Sequence, residues 1–543
     1  MKRSIFCILI LCLSAASLSA DDYPRNHEID ILHYTFKIYL KENPGIIKGE
    51  TYIDIRFKNS GVKEFTLDLI GKAEAANDTG MTVLSVTSGD KNLMFEHINN
   101  RLKIFLTNPP AEKDRLTFRI DYSGIPGDGL IISRNKFGDR TYFADNWPNR
   151  ARYWIPTIDH PYEKATCDFI VVAPEQYQVV SNGFQVEETN LDYNMKLTHW
   201  KESVPISTKL MVIGVSRFAW EVVDLYKNIP IQTWVFPQNR DDGFYDFERS
   251  RRSLEFFDSK IGPFPYEKLA NVQSRTRYGG MENASAIFYN ENSVSGKRGY
   301  ENTVVHEIAH QWFGDSVTEA DWHHVWLSEG FATYLTHLFN EYHFGRDRLV
   351  SGLKRDINRI IRYYEGNPDS PIVDTRITNI NRLLSTNSYQ KGSWVLHMLR
   401  GIIGDEKFFK CLRNYYSQYR DSIAWTEDFQ RVAEETSGTE LDWFFKQWIY
   451  QPGLPKYKGT WEFNKAEGIL HIYIEQVQDK KLQFTMPVEI GIYTEDSERP
   501  AIEVLKITEI NNSFSIKLES EPESVILDPN TWVLMEADFE KKN

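Results

Sequence analysis

Apolar and polar residues alternate in the first part of the chain, from about residue 33 to residue 222. In the first such segment the apolar positions are Tyr34, Phe36, Ile38 and Leu40. Residues 52–57 repeat the pattern after the turn-forming residues 43–45. Because a period of two puts alternate side chains on one face, these segments predict strands with one buried face. Residues 21–222 are therefore predicted to form an N-terminal all-β domain.

The pattern changes in residues 223–452, where apolar residues recur three and four positions apart. This spacing places apolar side chains on one face of a helix. The predicted helices are 301–314, 327–344, 348–364, 388–403 and 405–419. Short strands precede them from about residue 229, so we predict a second domain of mixed α/β structure.

Residues 451–455, which read Gln-Pro-Gly-Leu-Pro, interrupt the helical pattern and predict a linker. Beyond them, residues 470–474 and 525–527 are strand-like in composition. They predict a small C-terminal β-sandwich in residues 453–543 that finishes near Leu534. The predicted fold class is thus multidomain α+β, with an all-β domain, an α/β domain and a β-sandwich.

The first twenty residues predict a secretory signal peptide. Lys2 and Arg3 form a basic start, residues 5–13 are apolar, and residues 14–20 are mostly small. Cleavage after Ser19 fits the small-residue rule better than cleavage after Ala20, and either removes the segment. No stretch of the chain is long enough and apolar enough to span a bilayer. We therefore expect an exported protein, periplasmic or secreted, without a transmembrane segment.

Charge and cysteine content narrow the function classes. The formal net charge is −13, and loss of Lys2 and Arg3 with the signal peptide makes it more negative by two. This acidity argues against nucleic acid as a partner. Beyond the signal peptide, Cys167 and Cys411 are the only cysteines, which excludes a disulfide framework. One bridge stays open, but we favour two buried free thiols.

A metal-binding pattern lies in residues 306–310, which read His-Glu-Ile-Ala-His. Residues four apart share one face of a helix, so His306 and His310 can bind one ion. A catalytic zinc site needs a third protein ligand, and Glu329 at the start of the next predicted helix fits that role. The residues predict one Zn²⁺ per chain, with Glu307 as the base that accepts the proton of the attacking water.

The alternative interpretation is a buried helix with two histidines that are hydrogen-bonded in the core. Apolar residues at 304–305 and 312–313 do predict burial of this helix. The third candidate ligand on a second helix favours the metal site. His323 and His324 lie in the polar connection between the two helices, and we expect both at the surface rather than at the metal.

Several motifs resemble those of the gluzincin aminopeptidases, the family of aminopeptidase N and leukotriene hydrolase. The first motif is Gly279-Gly280-Met281-Glu282-Asn283. After the metal motif come Trp-Leu-Ser-Glu-Gly-Phe-Ala at 326–332 and Ser-Tyr-Gln-Lys-Gly at 388–392. Similar stretches at 152–161, 441–448 and 453–455 extend the resemblance over most of the chain. The resemblance implies a thermolysin-like architecture for residues 223–452.

The resemblance also implies an activity, namely zinc-dependent release of N-terminal amino acids from peptides. It assigns the five residues 279–283 to substrate binding, with Glu282 holding the free ammonium. It assigns Tyr389 to stabilising the oxyanion that forms during attack. We therefore expect Glu307 and Tyr389 as catalytic residues and peptides with a free N-terminus as partners.

One position departs from the family pattern. Relatives carry a Gln or Glu about five residues before the arginine of the 152–161 stretch, where it helps to hold the amine. This chain has Trp147 there, so Asp145 or Asn146 is a candidate for the missing polar contact. Tyr278, directly before the glycines, is a candidate wall of the first side-chain pocket.

Two other functions stay open. An epoxide hydrolase like leukotriene hydrolase would use the same metal, and a non-catalytic scaffold would share the fold. Intact Glu307, Tyr389 and metal ligands count against the scaffold. The oligomeric state is open, and so is the cover of the cleft, because larger relatives continue into a helical domain.

Overall fold

The computed structural model describes residues 21–41, 45–75, 77–479, 481–495 and 499–542. The predicted signal peptide, residues 1–20, lies outside these ranges. The predicted fold class is confirmed, because a β region is followed by a mixed α/β region and then by two small sheets.

The first region consists of strands. They are β1 (Ile29–Tyr39), β2 (Ile47–Phe57), β3 (Glu64–Asp68), β4 (Gly80–Ser88), β5 (Lys91–Asn92), β6 (Phe95–Ile98), β7 (Arg101–Phe105), β8 (Arg115–Ile125), β9 (Leu130–Arg134), β10 (Arg140–Ala144), β11 (Lys164–Pro174), β12 (Gln178–Ser181), β13 (Phe184–Leu191), β14 (Met195–Ser207) and β15 (Ile213–Ser216). Among the described residues, the largest sheet has the order β13-β14-β11-β1-β2-β8-β4-β5. Two smaller sheets have the orders β12-β15-β10-β9 and β3-β7-β6.

Strand β1 shows why this region folds as it does. It pairs antiparallel with β2 and parallel with β11, in the middle of the large sheet. Tyr34, Phe36 and Ile38 are fully buried on one face, while the residues between them are only half-buried. The alternation in the sequence therefore corresponds to the core face of the sheet.

The second region adds helices to a mixed sheet. Its strands are β16 (Ala219–Tyr226), β17 (Ile229–Val235), β18 (Leu269–Ser274), β19 (Gly280–Met281), β20 (Ala286–Asn290), β21 (Val317–Glu319) and β22 (Ser422–Ala424). Its helices are α1 (Arg240–Phe247), α2 (Ser250–Lys260), α3 (Glu301–His310), α4 (Trp326–Phe344), α5 (Arg346–Gly366), α6 (Gly392–Ile403), α7 (Asp405–Tyr419), α8 (Thr426–Ser437) and α9 (Asp442–Ile449). The sheet order is β16-β17-β18-β20-β19, with β18 buried along its whole length.

The predicted helices correspond to α3 to α7, with two clear differences. Helix α6 begins at Gly392, four residues later than predicted, because residues Asn387–Lys391 form a π-helix. Helix α3 ends at His310, four residues earlier than predicted. The N–H groups of Gln311 and Trp312 donate to carbonyls three residues back, so the last turn tightens and the chain leaves the helix. The turn at Gly314, where φ is 120°, sends the chain towards α4.

The third region contains β23 (Lys456–Asn464), β24 (Ile469–Gln476), β25 (Met486–Tyr493), β26 (Ala501–Ile507), β27 (Asn511–Lys517), β28 (Ser524–Leu527) and β29 (Glu536–Lys541). Within the described part of the chain, these strands form the sheets β27-β24-β23-β29 and β26-β25-β28. The prediction that strand structure finishes near Leu534 is wrong, because β29 follows and pairs parallel with β23.

The predicted domain boundaries stay predictions. By sheet membership, the break between the first two regions falls between β15 and β16, because β16 pairs with β17. None of the described helices is both long and apolar enough to cross a membrane. Cys167 and Cys411 are buried free thiols, as favoured above.

Candidate active site

Helices α3 and α4 bring the three predicted metal ligands together. Nε2 of His306 lies 3.1 Å from Nε2 of His310, since the two residues are one helical turn apart. Oε2 of Glu329, in the first turn of α4, lies 3.3 Å from His306 Nε2 and 3.2 Å from His310 Nε2. The three atoms therefore form a nearly equilateral triangle.

This triangle fits a tetrahedral metal ion. Bonds of about 2.0–2.1 Å at tetrahedral angles require ligand atoms about 3.3–3.4 Å apart, close to the observed edges. His310 and Glu329 are buried and His306 is half-buried. Two imidazoles and one carboxylate are also the ligand set that zinc accepts in catalytic sites. These residues can hold a divalent metal ion.

Neighbouring groups orient the ligands. Nδ1 of His310 lies 3.2 Å from the Phe313 carbonyl and 3.1 Å from Oγ of Ser328, which holds the imidazole with Nε2 towards the triangle. Burial lowers the pKa of His310, but the Glu329 carboxylate outweighs this and raises it to about 10. The Glu329 pKa is itself depressed: burial raises it, but His310 and the hydrogen bonds from both imidazoles outweigh burial.

Glu307 faces the same cavity from α3. Burial raises its pKa well above the usual range; His310 opposes the rise, and the carboxylates of Glu282 and Glu329 add to it. Gly280 lies against this side chain, and a Cβ added at that glycine would be 2.3 Å from Oε1 of Glu307. Only a residue without a side chain allows β19 to approach the Glu307 carboxylate this closely.

The predicted substrate motif forms the edge of the mixed sheet. Gly280 and Met281 form β19, which pairs antiparallel with β20 and leads into Glu282. The Glu282 carboxylate has a ligand atom within 4.8 Å of those of Glu307 and His310. Gln311 fixes the loop, because its Nε2 donates to the Glu282 carbonyl and its Oε1 accepts from the Ser285 N–H.

The other two residues of the motif have different surroundings. Gly279 borders the cavity, and a Cβ there would have no neighbour within 4 Å. Asn283 is fully buried, and neither polar atom of its amide has a hydrogen-bond partner among the described residues. The structure therefore places residues 279–282 at the cavity and Asn283 behind it.

Tyr389 lies in a short π-helix, Asn387–Lys391, directly before α6. Its hydroxyl donates to Oε1 of Glu329 at 2.8 Å, and its ring stacks on His306 with centroids 6.0 Å apart. Burial, and then the Glu329 carboxylate, raise the pKa of Tyr389 well above its usual value, so the phenol stays a hydrogen-bond donor.

A glycine pair allows this contact between helices. A Cβ on Gly330 would be 3.0 Å from backbone atoms of Gly392, so α4 and α6 approach closely beside Glu329 and Tyr389. Single-turn π-helical segments are frequent at functional sites. Gly330 and Gly392, one from each of two family-like motifs, thus have a shared packing role.

These side chains surround one cavity of about 270 Å³. Its apolar lining includes Met281, Leu384, Trp147 and Tyr278. The rings of Trp147 and Tyr278 meet edge to face with centroids 5.9 Å apart. Tyr278 therefore lies at the cavity, where it was expected.

The suggestion that Asp145 or Asn146 supplies the missing polar contact is wrong. Neither borders the cavity, and both are fully buried elsewhere. Asp145 accepts from Arg150 at 2.6 Å and from the N–H of Arg277 at 3.0 Å. The Asn146 amide donates to the carbonyls of residues 208 and 211. Their hydrogen bonds support the fold rather than a ligand.

The prediction of surface positions for His323 and His324 is also wrong. Both are buried, and so is the polar connection that contains them. Nδ1 of His323 lies 3.0 Å from Oδ1 of Asp321, and its Nε2 lies 2.9 Å from the carbonyl oxygen of Ile377. Nδ1 of His324 lies 2.8 Å from Oγ1 of Thr426. Neither belongs to the metal triangle, as expected.

Two models of known protein families match this chain, and one of them covers the region of the candidate site. A family model described as the peptidase family M1 domain matches residues 245–448, which include every residue of the triangle. A second model, the peptidase M1 N-terminal domain, matches residues 30–210. Together the two models cover more than half of the chain. The chain belongs to peptidase family M1.

Relatives of this M1 chain include archaeal proteins. It is 28% identical over 436 residues to "Probable aminopeptidase 2" of Sulfurisphaera tokodaii, covering 76% of this chain and 54% of the relative. It is 28% identical over 444 residues to "Tricorn protease-interacting factor F2" of Thermoplasma acidophilum, with the same coverage of 76% and 54%. The M1 chain thus spans about half the length of these curated relatives.

A solved structure has the same fold. The crystal structure of Legionella pneumophila aminopeptidase A in complex with aspartic acid matches with a TM-score of 0.81. The match covers 96% of this chain and 61% of that one, at 18% sequence identity. At this identity the likeness concerns the fold alone.

Sequence reasoning missed several supporting residues of the M1 site. Gln311 and Ser328 each adjoin a predicted ligand, which is a signal that could have drawn attention to them. Trp322 packs against Trp147 with ring centroids 5.7 Å apart, although 175 positions separate them in the chain. No local pattern indicates that contact.

Proposed function

We propose that the protein is a zinc aminopeptidase that releases N-terminal residues from peptides. One observation carries the proposal: the Glu282 carboxylate lies beside Glu307 and the metal-ligand triangle in one cavity. A carboxylate at that place can bind an ammonium group by a charge-assisted hydrogen bond. Its position relative to the metal ligands would then select the first peptide bond.

His306, His310 and Glu329 would hold the zinc ion. When bound, zinc would lower the pKa of a water molecule towards neutrality and polarise the scissile carbonyl. Glu307 takes the proton of the attacking water and can deliver it to the departing amine. The buried surroundings of Glu307 favour a carboxylate that readily accepts a proton.

Tyr389 is proposed to donate a hydrogen bond to the carbonyl oxygen as negative charge develops on it. Its hydroxyl already points into the cavity at Glu329, and its raised pKa keeps the proton on the phenol at neutral pH. Glu282 is proposed to hold the ammonium without a second polar anchor, because Trp147 occupies the neighbouring wall.

The test is a panel of aminoacyl fluorogenic amides, each with a free or an acetylated amine, on the purified protein. We expect cleavage of the free amines, loss of activity on chelation and recovery with zinc. Glu307→Gln should keep the metal and lower kcat about 10²–10⁴-fold, because an amide accepts no proton.

The alternative functions are outcomes of the same test. Equal cleavage of free and acetylated substrates would show an endopeptidase, and full activity without metal would refute the zinc assignment. Hydrolysis of an epoxide without amide cleavage would show the epoxide hydrolase, and no turnover of either would show the scaffold. No observation of this chain favours these alternatives.

We also propose that the protein is exported. The support is the basic start at Lys2 and Arg3 followed by the apolar residues 5–13. N-terminal sequencing of the protein from its source would find Ala20 or Asp21 first if the signal peptide is removed as expected. Retention of Met1 in the mature protein would contradict export by this route.

A further inference from the structure

Residues 21–26, here called the N-terminal strap, connect the β region to the region of the metal ligands. The strap has no regular secondary structure, and its residues alternate in exposure. Asp22 and Pro24 are exposed, whereas Asp21, Tyr23 and Arg25 are half-buried against the molecule. The inward side chains are thus one aromatic ring flanked by two opposite charges.

Asp21 and Arg25, near the two ends of the strap, form hydrogen bonds with the rest of the molecule. Oδ2 of Asp21 lies 2.6 Å from Nε2 of His160, in the β region. Nη2 of Arg25 donates to Oδ2 of Asp321 at 2.8 Å, and its Nη1 donates back to Asp21 at 3.0 Å. Asp321 is fully buried and caps the short helix Trp322–His324, which leads directly into α4.

Tyr23 begins a row of packed rings that ends in the active-site cavity. We call Tyr23, His160, Trp322, Trp147 and Tyr278 the aromatic ladder. Successive ring centroids are 4.6, 6.1, 5.7 and 5.9 Å apart. The first pair is stacked and the other three meet edge to face, as aromatic pairs prefer. The last two rings line the same cavity as the metal ligands.

The ladder joins parts of the chain that are distant from one another in the sequence. The strap supplies its first ring, and the polar connection between α3 and α4 supplies the middle one. The position of Trp322 is therefore set from two sides, by His160 in the ladder and by the capping of Asp321 that Arg25 supports. In a close-packed interior, a shift of one ring displaces its neighbours.

We propose that the N-terminal strap is a positioning element for the substrate side of the cavity. Tyr23 and Arg25 are its positioning residues: they hold the aromatic ladder so that Trp147 and Tyr278 keep their places against the first residue of the substrate. This inference rests on the proposed aminopeptidase function. Because Tyr23 stacks on His160 and Arg25 donates to Asp321, both away from the metal triangle, loss of the strap should act on substrate binding rather than on the chemical step.

Two substitutions at one position test the ladder in the mature, zinc-loaded protein. Tyr23→Leu removes the ring that stacks on His160, whereas Tyr23→Phe keeps the ring and removes only the hydroxyl that donates to Asp68. For an aminoacyl amide we expect Tyr23→Leu to raise KM about threefold to thirtyfold. The kcat and the zinc content should stay within about twofold of the parent. Tyr23→Phe should leave KM nearly unchanged.

A second measurement, hydrogen exchange, tests the same variants in the absence of substrate. Hydrogen exchange of the backbone amides in residues 276–283 and 320–325 should quicken in Tyr23→Leu but not in Tyr23→Phe. Arg25→Met/Asp321→Asn provides a second route if Tyr23→Leu fails to fold. This pair removes the contact between Arg25 and Asp321 without leaving the buried Asp321 charge unpaired, and asparagine can still cap the short helix. It should also raise KM.

Arg56→Met is the matched control, because Arg56 pairs with Asp30 in the same β region and lies outside the ladder. It should change neither KM nor exchange in those two segments. Unchanged KM and exchange in Tyr23→Leu would overturn the proposal. A fall in kcat and zinc content at constant KM would also overturn it, since the strap would then act on the metal side. If the parent protein cleaves no free-amine substrate, the aminopeptidase function fails, whereas the exchange result still tests the positioning.

Discussion

The metal side of the cavity comes from two consecutive helices, α3 and α4, whereas the substrate side comes from segments as distant as Trp147 and Tyr278. On the metal side, His310 has a second partner at its other ring nitrogen, and Tyr389 donates to the ligand Glu329. On the substrate side, no described residue donates a hydrogen bond to the Glu282 carboxylate.

The difference follows from what each side binds. A metal ion needs ligand atoms held within a few tenths of an ångström, and second partners provide that rigidity. An ammonium needs an acceptor that is still free, so a carboxylate already paired with a protein cation would bind it poorly. Two of the three metal ligands, His310 and Glu329, thus have second partners within the protein, whereas the Glu282 carboxylate is left for the ammonium of the substrate.

The largest expected effect in this comparison is at Tyr389. Tyr389→Phe should lower kcat about 10²–10³-fold with little change in KM, because the hydroxyl acts on charge that appears only in the transition state. Steady-state kinetics with an aminoacyl amide measures this. Tyr364→Phe is the control, since that hydroxyl bonds Asn387 in the same π-helix and lies outside the cavity. An unchanged kcat in Tyr389→Phe would move the role to another residue.

Gly280, on the substrate side of the cavity, packs against Glu307, which α3 supplies from the metal side. The Cβ of Gly280→Ala would overlap the Glu307 carboxylate, so we expect the carboxylate to shift and kcat to fall about a hundredfold. Zinc content, measured on the same sample, should not change, because the triangle is not displaced. Gly279→Ala is a graded control with open space at its Cβ, and a smaller loss is expected there. Equal losses in both variants would show that the overlap is not the cause.

The smallest of these effects concerns Glu282 and the free amine. Glu282→Gln should lower kcat/KM for free-amine substrates about tenfold to a hundredfold, the value of one charge-assisted hydrogen bond. Acetylation of the amine should cost the parent protein a similar factor. Because both changes remove one interaction, their effects should not multiply in a double-mutant cycle. Multiplying effects would show that the ammonium binds elsewhere.

Most of the strands, helices and site residues that could be predicted were predicted from patterns over a few neighbouring residues. The alternation in β1, the helical spacing of α3 to α7 and the ligand spacing of His306 and His310 all reflect periodicity over a few residues. Glu329 was predictable because α4 is the next α-helix after α3 in the chain. Element ends were less accurate: α3 stops at His310, and β29 extends the last sheet beyond Leu534.

The sequence by itself determined the order of the elements and the metal triangle, since both depend on residues that are near one another in the chain. Only the tertiary structure decided that His323 and His324 are buried, that Asp145 and Asn146 turn away from the cavity, and that the strap reaches Asp321. Arg25 and Asp321 are 296 positions apart. Contacts at such separation depend on how sheets and helices pack, which leaves no periodic trace in the sequence.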